Sequence, residues 1–274
     1  MGEPCVAHAV PFERGAAAVI GVADGGLAEP GGGELGGTHD AVPTGGEHRD
    51  PAVRAGLAHR VGFGTGRWGK VRETVGVLIE HEGRRPRVAE SSYVAPTAVL
   101  CGDVTIGEES RILFGAVLTA EGGAIEVGRR CIVMEQALVR GRTGHPVRLD
   151  DHVLVGPHAH VNGAVIERDV FLATGVSVFP GARVGAGSEV RINGVVHVNS
   201  RLRALTTVPI GWIAVGDPAR LFPPGAHEEL WRVQQAMDFP RTVFGLDRDE
   251  LTMEEVARRY AERFGRHRDD RILD

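Results

Sequence analysis

The sequence has few cysteines and no long apolar run. Its three cysteines, Cys5, Cys101 and Cys131, are widely spaced and odd in number. They match neither a disulfide framework nor a CxxC metal motif, which favours a reducing compartment. No apolar run approaches the roughly 18 residues that a membrane span requires, and the amino-terminal stretch lacks the basic region of a secretory signal. We therefore expect a cytoplasmic protein with no membrane partner.

The sequence also lacks an excess of positive charge. It has 31 basic and 36 acidic residues, which give a formal net charge of −5. Because no basic field is available to attract phosphates, nucleic acid is not expected as a partner. The 274 residues suffice for one large domain or two small ones. Glycine, in contrast, is abundant at 39 residues, about twice the roughly 7% of average usage.

The glycines concentrate at the amino-terminal end. Eighteen of them fall in residues 1–76, where neither a helical nor a strand period is present. Such a segment cannot bury enough apolar surface to offset the entropy lost on ordering. We predict a disordered extension over residues 1–74. Its four histidines are scattered without ligand spacing, so they do not indicate a metal site.

An internal repeat of six residues dominates the middle of the chain. From Val75 the pattern predicts a hairpin or lead-in strand, and an aliphatic residue then opens nearly every group of six. These first positions are Val94, Leu100, Ile106, Ile112, Leu118, Val127, Val133, Val139, Leu149, Val155, Val161, Ile166, Leu172, Val178, Val184, Val190 and Val196. The fifth position is often small. One large aliphatic residue per six builds a narrow solenoid, in which each hexad is one strand and the aliphatic side chains stack along the axis.

The repeat ends near Leu202, and a turn-rich exit strand follows. Residues 223–274 then carry apolar residues at helical spacing, which predicts two amphipathic helices packed on the solenoid. Those apolar positions are Leu230, Val233, Met237, Leu251, Val256, Tyr260 and Phe264. The predicted organisation is an extension over 1–74, a solenoid with lead-in and exit strands over 75–222, and helices over 223–274.

Several stretches resemble the γ-class carbonic anhydrase family of hexapeptide-repeat proteins. They include AVLTAEGGAIEVG, CIVMEQALVRG and VPIGWIAVGDPAR, and with the hexads they cover nearly half of the chain. The resemblance implies a left-handed parallel β-helix that assembles as a homotrimer. It also implies three histidines from neighbouring subunits around a metal whose bound water becomes hydroxide and hydrates carbon dioxide.

The metal ligands that the resemblance implies are replaced in this chain. They fall on Arg140, Pro157 and Asn162. Arginine does not lose its proton, proline has no side-chain donor, and asparagine is a weak ligand. We therefore expect no cofactor and no zinc-dependent hydration at these positions. Zinc or another divalent metal is expected only if His158 and His160, two residues apart, share one side of a strand and form a relocated site.

A first hypothesis keeps the cleft between subunits as a site for a small anionic metabolite, which is bound or chemically transformed there. Arg140 would anchor the anion through its fork of donors, with Asn162, Glu121 and His160 as further binding residues. An ion pair between subunits, from Arg140 to Glu121 or Glu135, is an equally open interpretation.

Two further hypotheses stay open. The chain could be a CoA-dependent acyltransferase, in which His145 of the GRTGHP insert, or His158, acts as the catalytic base. It could also be a non-catalytic trimeric scaffold that binds a partner through its carboxyl-terminal helices. The order of segments favours the carbonic anhydrase branch over the acyltransferase, but it does not separate anion binding from a scaffold.

Overall fold

The computed structural model describes residues 76–273 as a parallel β-solenoid of about eight coils. This confirms the predicted hexapeptide-repeat fold with helices after it. The predicted disordered extension, residues 1–74, lies outside the described residues. Short strands in three sheets form the walls of the solenoid, because each coil contributes one strand to each sheet and strands of successive coils pair in parallel.

The first sheet has ten strands, which are β1 (Val77–Glu80), β4 (Val99–Cys101), β7 (Val117–Glu121), β10 (Leu138–Arg142), β13 (His160–Asn162), β16 (Ser177–Val178), β19 (Val195–Val196), β22 (Ile213–Val215), β23 (Arg220–Phe222) and β24 (Arg271–Leu273). The second has seven, which are β2 (Arg87–Val88), β5 (Val104–Ile106), β8 (Ile125–Val127), β11 (Val147–Leu149), β14 (Val165–Ile166), β17 (Arg183–Val184) and β20 (Arg201–Leu202). The third has seven, which are β3 (Tyr93–Val94), β6 (Arg111–Ile112), β9 (Ile132–Val133), β12 (Leu154–Val155), β15 (Phe171–Leu172), β18 (Glu189–Val190) and β21 (Thr207–Val208).

The core is built around the aliphatic residues that open the hexads. All seventeen are buried, with at most 4% of their surface exposed. They stack because the strands pair in register; Leu100, for example, lies beside Leu118 in the next coil. Residues at the fifth position, such as Ala98, Ala116 and Val104, are also fully buried. They range from alanine to valine, because the close-packed interior must hold two side chains from each hexad.

The solenoid extends beyond the repeat seen in the sequence at both ends. The predicted hairpin or lead-in strand is the first coil, because β1, β2 and β3 pair in parallel with β4, β5 and β6. A tight turn, in which His81 and Arg84 exchange backbone hydrogen bonds of 3.0 and 2.9 Å, interrupts the six-residue spacing there. At the other end β21 and β22 continue the stack, and β23 pairs antiparallel with β22.

The carboxyl-terminal segment contains three α-helices where two were predicted. They are α1 (His227–Gln234), α2 (Phe239–Phe244) and α3 (Met253–Gly265), with 3₁₀ turns at Gln235–Met237 and Arg266–Asp269. The first predicted helix ends early, because the chain tightens into a 3₁₀ turn and Asp238 then adopts a left-handed backbone (φ 46°). The prediction missed α2, which has Pro240 as its second residue. In the described part of the chain, no helix combines the length and apolar character needed to cross a bilayer.

The carboxyl-terminal segment runs back along the outer face of the ten-stranded sheet. Five rings of this segment and one ring of the solenoid, Phe179, form a row in which neighbouring centroids lie 5.4–6.5 Å apart. The row consists of Phe179, Phe239, Phe244, Tyr260, Phe264 and His267. We call these six residues the aromatic row. The segment ends in β24, which pairs antiparallel with β1. The last described strand therefore covers the free edge of the first coil.

We predict that Ile166→Ala lowers the free energy of unfolding by about 2–5 kcal/mol, because it leaves a cavity in a close-packed core. Ile166 is fully buried and lies between Leu149 and Val184 in the stack. Urea denaturation measures the change. The control is Ile192→Ala, at a residue that is 45% exposed, where we expect a change within about 0.5 kcal/mol. Equal losses for the two variants would contradict the assigned core.

His197 is a buried histidine beneath the carboxyl-terminal segment. It is 3% exposed, its ring lies 5.7 Å from that of Phe239, and Gln234 Nε2 donates to its Nε2 at 2.9 Å. Burial lowers the pKa of His197 to about 4, because desolvation disfavours the charged imidazolium. The side chain is therefore neutral at pH 7.

The depressed pKa of His197 predicts a loss of stability in acid. The unfolded chain binds the proton near pH 6.5 and the folded chain only near pH 4, so the stabilisation is present above pH 6.5 and is lost as the pH falls toward 4. Full protonation corresponds to a loss on the order of 3 kcal/mol. We expect His197→Gln to flatten the decline measured by urea denaturation at a series of pH values. An unchanged decline would contradict the assignment to His197.

Candidate functional site

Two long strands carry the candidate site. β7 and β10 have five residues each, whereas their neighbours β4 and β13 have three. The extra residues extend these strands past the corner of the solenoid, so their pairing continues through Glu121 and Arg142. Arg140 pairs in register with Thr119 on one side and with Asn162 on the other. Polar residues are thus brought together on the outer face of the ten-stranded sheet.

A cleft of about 350 Å³ lies between this sheet and the carboxyl-terminal segment. Its polar lining consists of Cys101, Thr119, Glu121, Arg140, His267 and Asp270, and Phe264 and three aliphatic residues complete it. The cleft therefore includes two of the predicted binding residues, Glu121 and Arg140. It has an acidic end around Asp270 and a basic end at Arg140.

Asp270 is the centre of the acidic end. Its two oxygens lie 2.6 Å from His81 Nδ1 and 2.7 Å from His267 Nδ1, and the rings of the two histidines stack with centroids 4.4 Å apart. The thiol of Cys101 donates to Asp270 at 3.7 Å. His267 Nε2 lies 3.1 Å from Glu121, whose same oxygen accepts from the Thr119 hydroxyl at 2.7 Å. Glu121 is thus held by two hydrogen bonds at the wall of the cleft.

The surroundings raise the pKa values of Cys101 and His267 and lower the pKa of Asp270. Burial raises the pKa of the Cys101 thiol to about 12, and the charges of Asp270 and Glu121 add to the increase. Desolvation by itself would raise the pKa of Asp270, but its hydrogen bonds to His267 and His81 outweigh this and lower it. Desolvation likewise opposes a net rise in the pKa of His267, which comes from its contacts with Asp270 and Glu121.

Arg140 forms the basic end of the cleft. Its guanidinium lies 5.7 Å from the centroid of the Phe264 ring, and no acidic side chain within residues 76–273 forms an ion pair with it. Its Nε is buried, and no hydrogen-bond partner for it lies in the described part of the chain. Glu121, which the sequence suggested as an ion-pair partner across a subunit interface, is hydrogen-bonded within this chain to Thr119 and His267. The ion pair between subunits stays a prediction.

His160 and Asn162, on the adjacent strand β13, also have polar atoms without partners among residues 76–273. The unpaired atoms are His160 Nε2 and Asn162 Oδ1, and both are buried. Burial lowers the pKa of His160 to about 4, with the charges of Arg140 and Arg142 as further causes. His160 is therefore neutral at pH 7. Three of the four predicted binding residues, Arg140, His160 and Asn162, thus present unpaired buried atoms on two neighbouring strands.

The two predicted catalytic histidines lie outside the cleft lining. His145 follows β10 in a tight turn, where its backbone exchanges hydrogen bonds of 2.8 and 2.9 Å with Arg142. Burial, and then the charge of Arg142, lower its pKa. His158 is exposed at a corner of the solenoid. Their catalytic roles stay predictions.

The expectation that His158 and His160 share one side of a strand is wrong. His158 has a left-handed backbone (φ 56°) and precedes β13, whereas His160 is the first residue of that strand. The corner turns the chain between them, so the alternation of a continuous strand does not apply. Within the described residues, neither belongs to a cluster of three or more potential metal ligands.

Sequence reasoning missed the group at the acidic end of the cleft. His81, Cys101 and Asp270 are separated by up to 189 positions, and no motif spacing connects them. The one local signal is the pair His267 and Asp270, three residues apart, and such pairs are common on solvated surfaces. Only the return of the carboxyl-terminal segment to the first coil brings these residues together.

The sequence similarity of this chain to known proteins extends over about half of its length. No family model matches it. It is 34% identical over 140 residues to an uncharacterized protein of Dictyostelium discoideum, covering 49% of this chain and 54% of that protein. It is 29% identical over 160 residues to gamma carbonic anhydrase 1, mitochondrial, of Arabidopsis thaliana, covering 56% of each. The chain is γ-carbonic-anhydrase-like. It spans about half the length of the curated relatives it matches.

The chain is also similar to a solved structure. It is a hexapeptide transferase family protein from Anaplasma phagocytophilum, with 22% sequence identity and a TM-score of 0.38. The similarity covers 59% of this chain and 92% of that one.

The zinc of the γ-class family does not fit the residues at its implied positions in this γ-carbonic-anhydrase-like chain. Arg140 brings a fixed positive charge, and Pro157 has no side-chain donor. Asn162 offers one uncharged oxygen, Oδ1, which is buried and unpaired. A cation beside the Arg140 guanidinium, with one neutral oxygen as ligand, is electrostatically unfavourable.

Proposed function

We propose that this γ-carbonic-anhydrase-like protein binds a small anion at Arg140, His160 and Asn162, and that it does not hydrate carbon dioxide with the family's three-histidine zinc site. The observation that carries the proposal is the set of three buried polar atoms without partners on β10 and β13. Unpaired buried polar atoms are costly, and one ligand with several acceptor oxygens would satisfy all three.

The chemistry of the three side chains suits an anion. The Arg140 guanidinium donates in a planar fork that matches a carboxylate, bicarbonate or phosphate. Neutral His160 can carry its proton on Nε2, and a half-turn of the Asn162 amide places Nδ2 where Oδ1 lies. All three groups then donate hydrogen bonds to one ligand.

The charge around Arg140 supports the same conclusion. The guanidinium of Arg142, 8% exposed, donates to the Val243 carbonyl, and no acidic side chain in the described region forms an ion pair with it. Two arginines thus lie on one strand without counter-ions, while Glu121 is engaged by Thr119 and His267. A small anion would offset this positive charge in a partly desolvated site, where electrostatic attraction exceeds its value in water.

The homotrimer and the cytoplasmic location belong to the same proposal. The cleft that was predicted between subunits stays a prediction for the trimer, and a partner subunit there could supply further contacts to the anion. The acyltransferase and scaffold hypotheses stay predictions. Neither His145 nor His158 lines the cleft between the ten-stranded sheet and the carboxyl-terminal segment, and no contact in residues 76–273 favours either hypothesis.

We predict that Arg140→Ala weakens the binding of bicarbonate, acetate or phosphate by about tenfold or more, the loss typical of a charged hydrogen bond. Isothermal titration of the full chain at low ionic strength measures the change for each ion. Arg140→Lys should retain part of the affinity, because it keeps the charge but loses the fork. The matched control is Arg168→Ala, at a side chain that is 74% exposed, where binding should be unchanged.

Two results would contradict the anion site. One is that the wild-type protein binds none of the three ions at millimolar concentration. The other is that Arg140→Ala binds them as tightly as wild type while its thermal unfolding shows an intact fold. Carbon dioxide hydration that increases with added zinc, and that is lost on chelation, would separately contradict the absence of zinc-dependent hydration.

A further inference from the structure

Four side chains at the acidic end of the cleft have the composition of a metal site. They are His81, Cys101, His267 and Asp270, and their potential ligand atoms all lie within 4.8 Å of one another. His81 directly follows β1, Cys101 ends β4, and the other two residues lie in and just after the 3₁₀ turn before β24. None of the four occupies a position where the γ-class family's metal ligands fall. The site is also separate from the anion site proposed at Arg140.

The donor atoms favour zinc. Two imidazole nitrogens, one thiolate and one carboxylate oxygen form a four-ligand set of the kind that Zn²⁺ accepts in tetrahedral geometry. A tetrahedron with bonds of about 2.0–2.3 Å places its ligand atoms about 3.3–3.8 Å apart. The Cys101–Asp270 distance of 3.7 Å already meets that spacing. The His81–Asp270 and His267–Asp270 contacts of 2.6 and 2.7 Å need to open by less than about 1.5 Å for the same spacing.

The environment of the four residues is that of a closed site with one accessible side. His81 and Cys101 are each 4% exposed, whereas the side chain of His267 is 32% exposed and lies at the cleft. An ion can therefore reach the group through the cleft. Burial also excludes competing water, which strengthens the attraction of a carboxylate and a thiolate for a cation.

A second carboxylate holds His267 in the orientation that a ligand requires. His267 Nδ1 faces Asp270, while Nε2 lies 3.1 Å from Glu121. Glu121 is itself fixed by the Thr119 hydroxyl at 2.7 Å. Metal-binding histidines usually donate their second ring nitrogen to such a carboxylate, which fixes the tautomer and raises the basicity of the ligand.

We propose that His81, Cys101, His267 and Asp270 bind one zinc ion in a four-coordinate site that fastens the carboxyl-terminal segment to the first coil. The thiol proton of Cys101 is released to solvent when the thiolate binds. Four protein ligands leave no open position for water, so the ion is structural. It would join the two ends of the described chain, where β24 pairs with β1.

The test uses the full chain, stripped of metal by a chelator and then titrated with Zn²⁺ and, separately, with Co²⁺. We expect one ion per chain and, with cobalt, the near-ultraviolet charge-transfer band of a thiolate ligand. Cys101→Ser should abolish that band, and His267→Gln should weaken zinc binding by at least tenfold. Zinc should raise the thermal unfolding temperature of the wild type but not of Cys101→Ser, because only the folded site binds the ion.

Matched controls separate this site from other binding. Cys131→Ser and Cys5→Ser, which change the other two cysteines, should keep the cobalt band, and Arg140→Ala should keep the zinc affinity even where anion binding is lost. His267→Gln alters a partly exposed side chain outside the solenoid core, so its fold should be intact. The proposal is overturned if the stripped protein binds no zinc at micromolar concentration, or if Cys101→Ser and His267→Gln bind it as the wild type does.

Discussion

The fold depends on the stacking of one aliphatic side chain per hexad along the solenoid axis. Each coil closes three strands around that stack, and a single coil cannot bury its aliphatic residues without neighbours above and below. Register between coils is consequently strict, because a slip of one residue would turn every buried side chain outward. Residues whose side chains point outward do not have to be aliphatic, so polar and charged residues can occupy these positions. Functional residues therefore lie on the outside of the sheets.

The candidate sites arise where the regular coil is interrupted. β7 and β10 carry extra residues, and the carboxyl-terminal segment lies against the face that these strands extend. The sheet fixes the positions of Arg140 and Asn162 by backbone pairing, whereas the returning segment supplies Phe264, His267 and Asp270. One wall of the cleft is thus the regular sheet of the solenoid. The other wall is the carboxyl-terminal segment, which packs on the sheet through the aromatic row.

The repeat was predictable from the sequence because its signal is periodic and local. Every hexad from Val94 to Val196 opens with a residue that is buried in the structure. The first coil was not recognised, because the turn at His81–Arg84 breaks the spacing. The early end of the first predicted helix was missed because Leu230, Val233 and Met237 continue the helical period across Gln235–Met237, where the backbone tightens into a 3₁₀ turn.

The candidate site was predictable only in part. Arg140, Asn162 and Glu121 were predicted from the positions of a family pattern, and His160 from its spacing to His158. Strand pairing places Arg140, His160 and Asn162 on two neighbouring strands. The group of His81, Cys101, His267 and Asp270 could not be found in this way, because contacts between the ends of a chain leave no periodic trace. The position of His158 was misjudged for a related reason: a left-handed corner residue looks like part of a strand in the sequence.

The pairing of β24 with β1 also bears on how such a protein can change during evolution. Repeat proteins commonly gain or lose whole units, since each unit contacts only its neighbours. Here the carboxyl-terminal segment extends back along the whole stack of coils. Its length has to match the number of coils, because neighbouring coils lie about 4.8 Å apart. Insertion of a coil would leave the last strand short of its partner. The number of coils and the length of the carboxyl-terminal segment can therefore change only together.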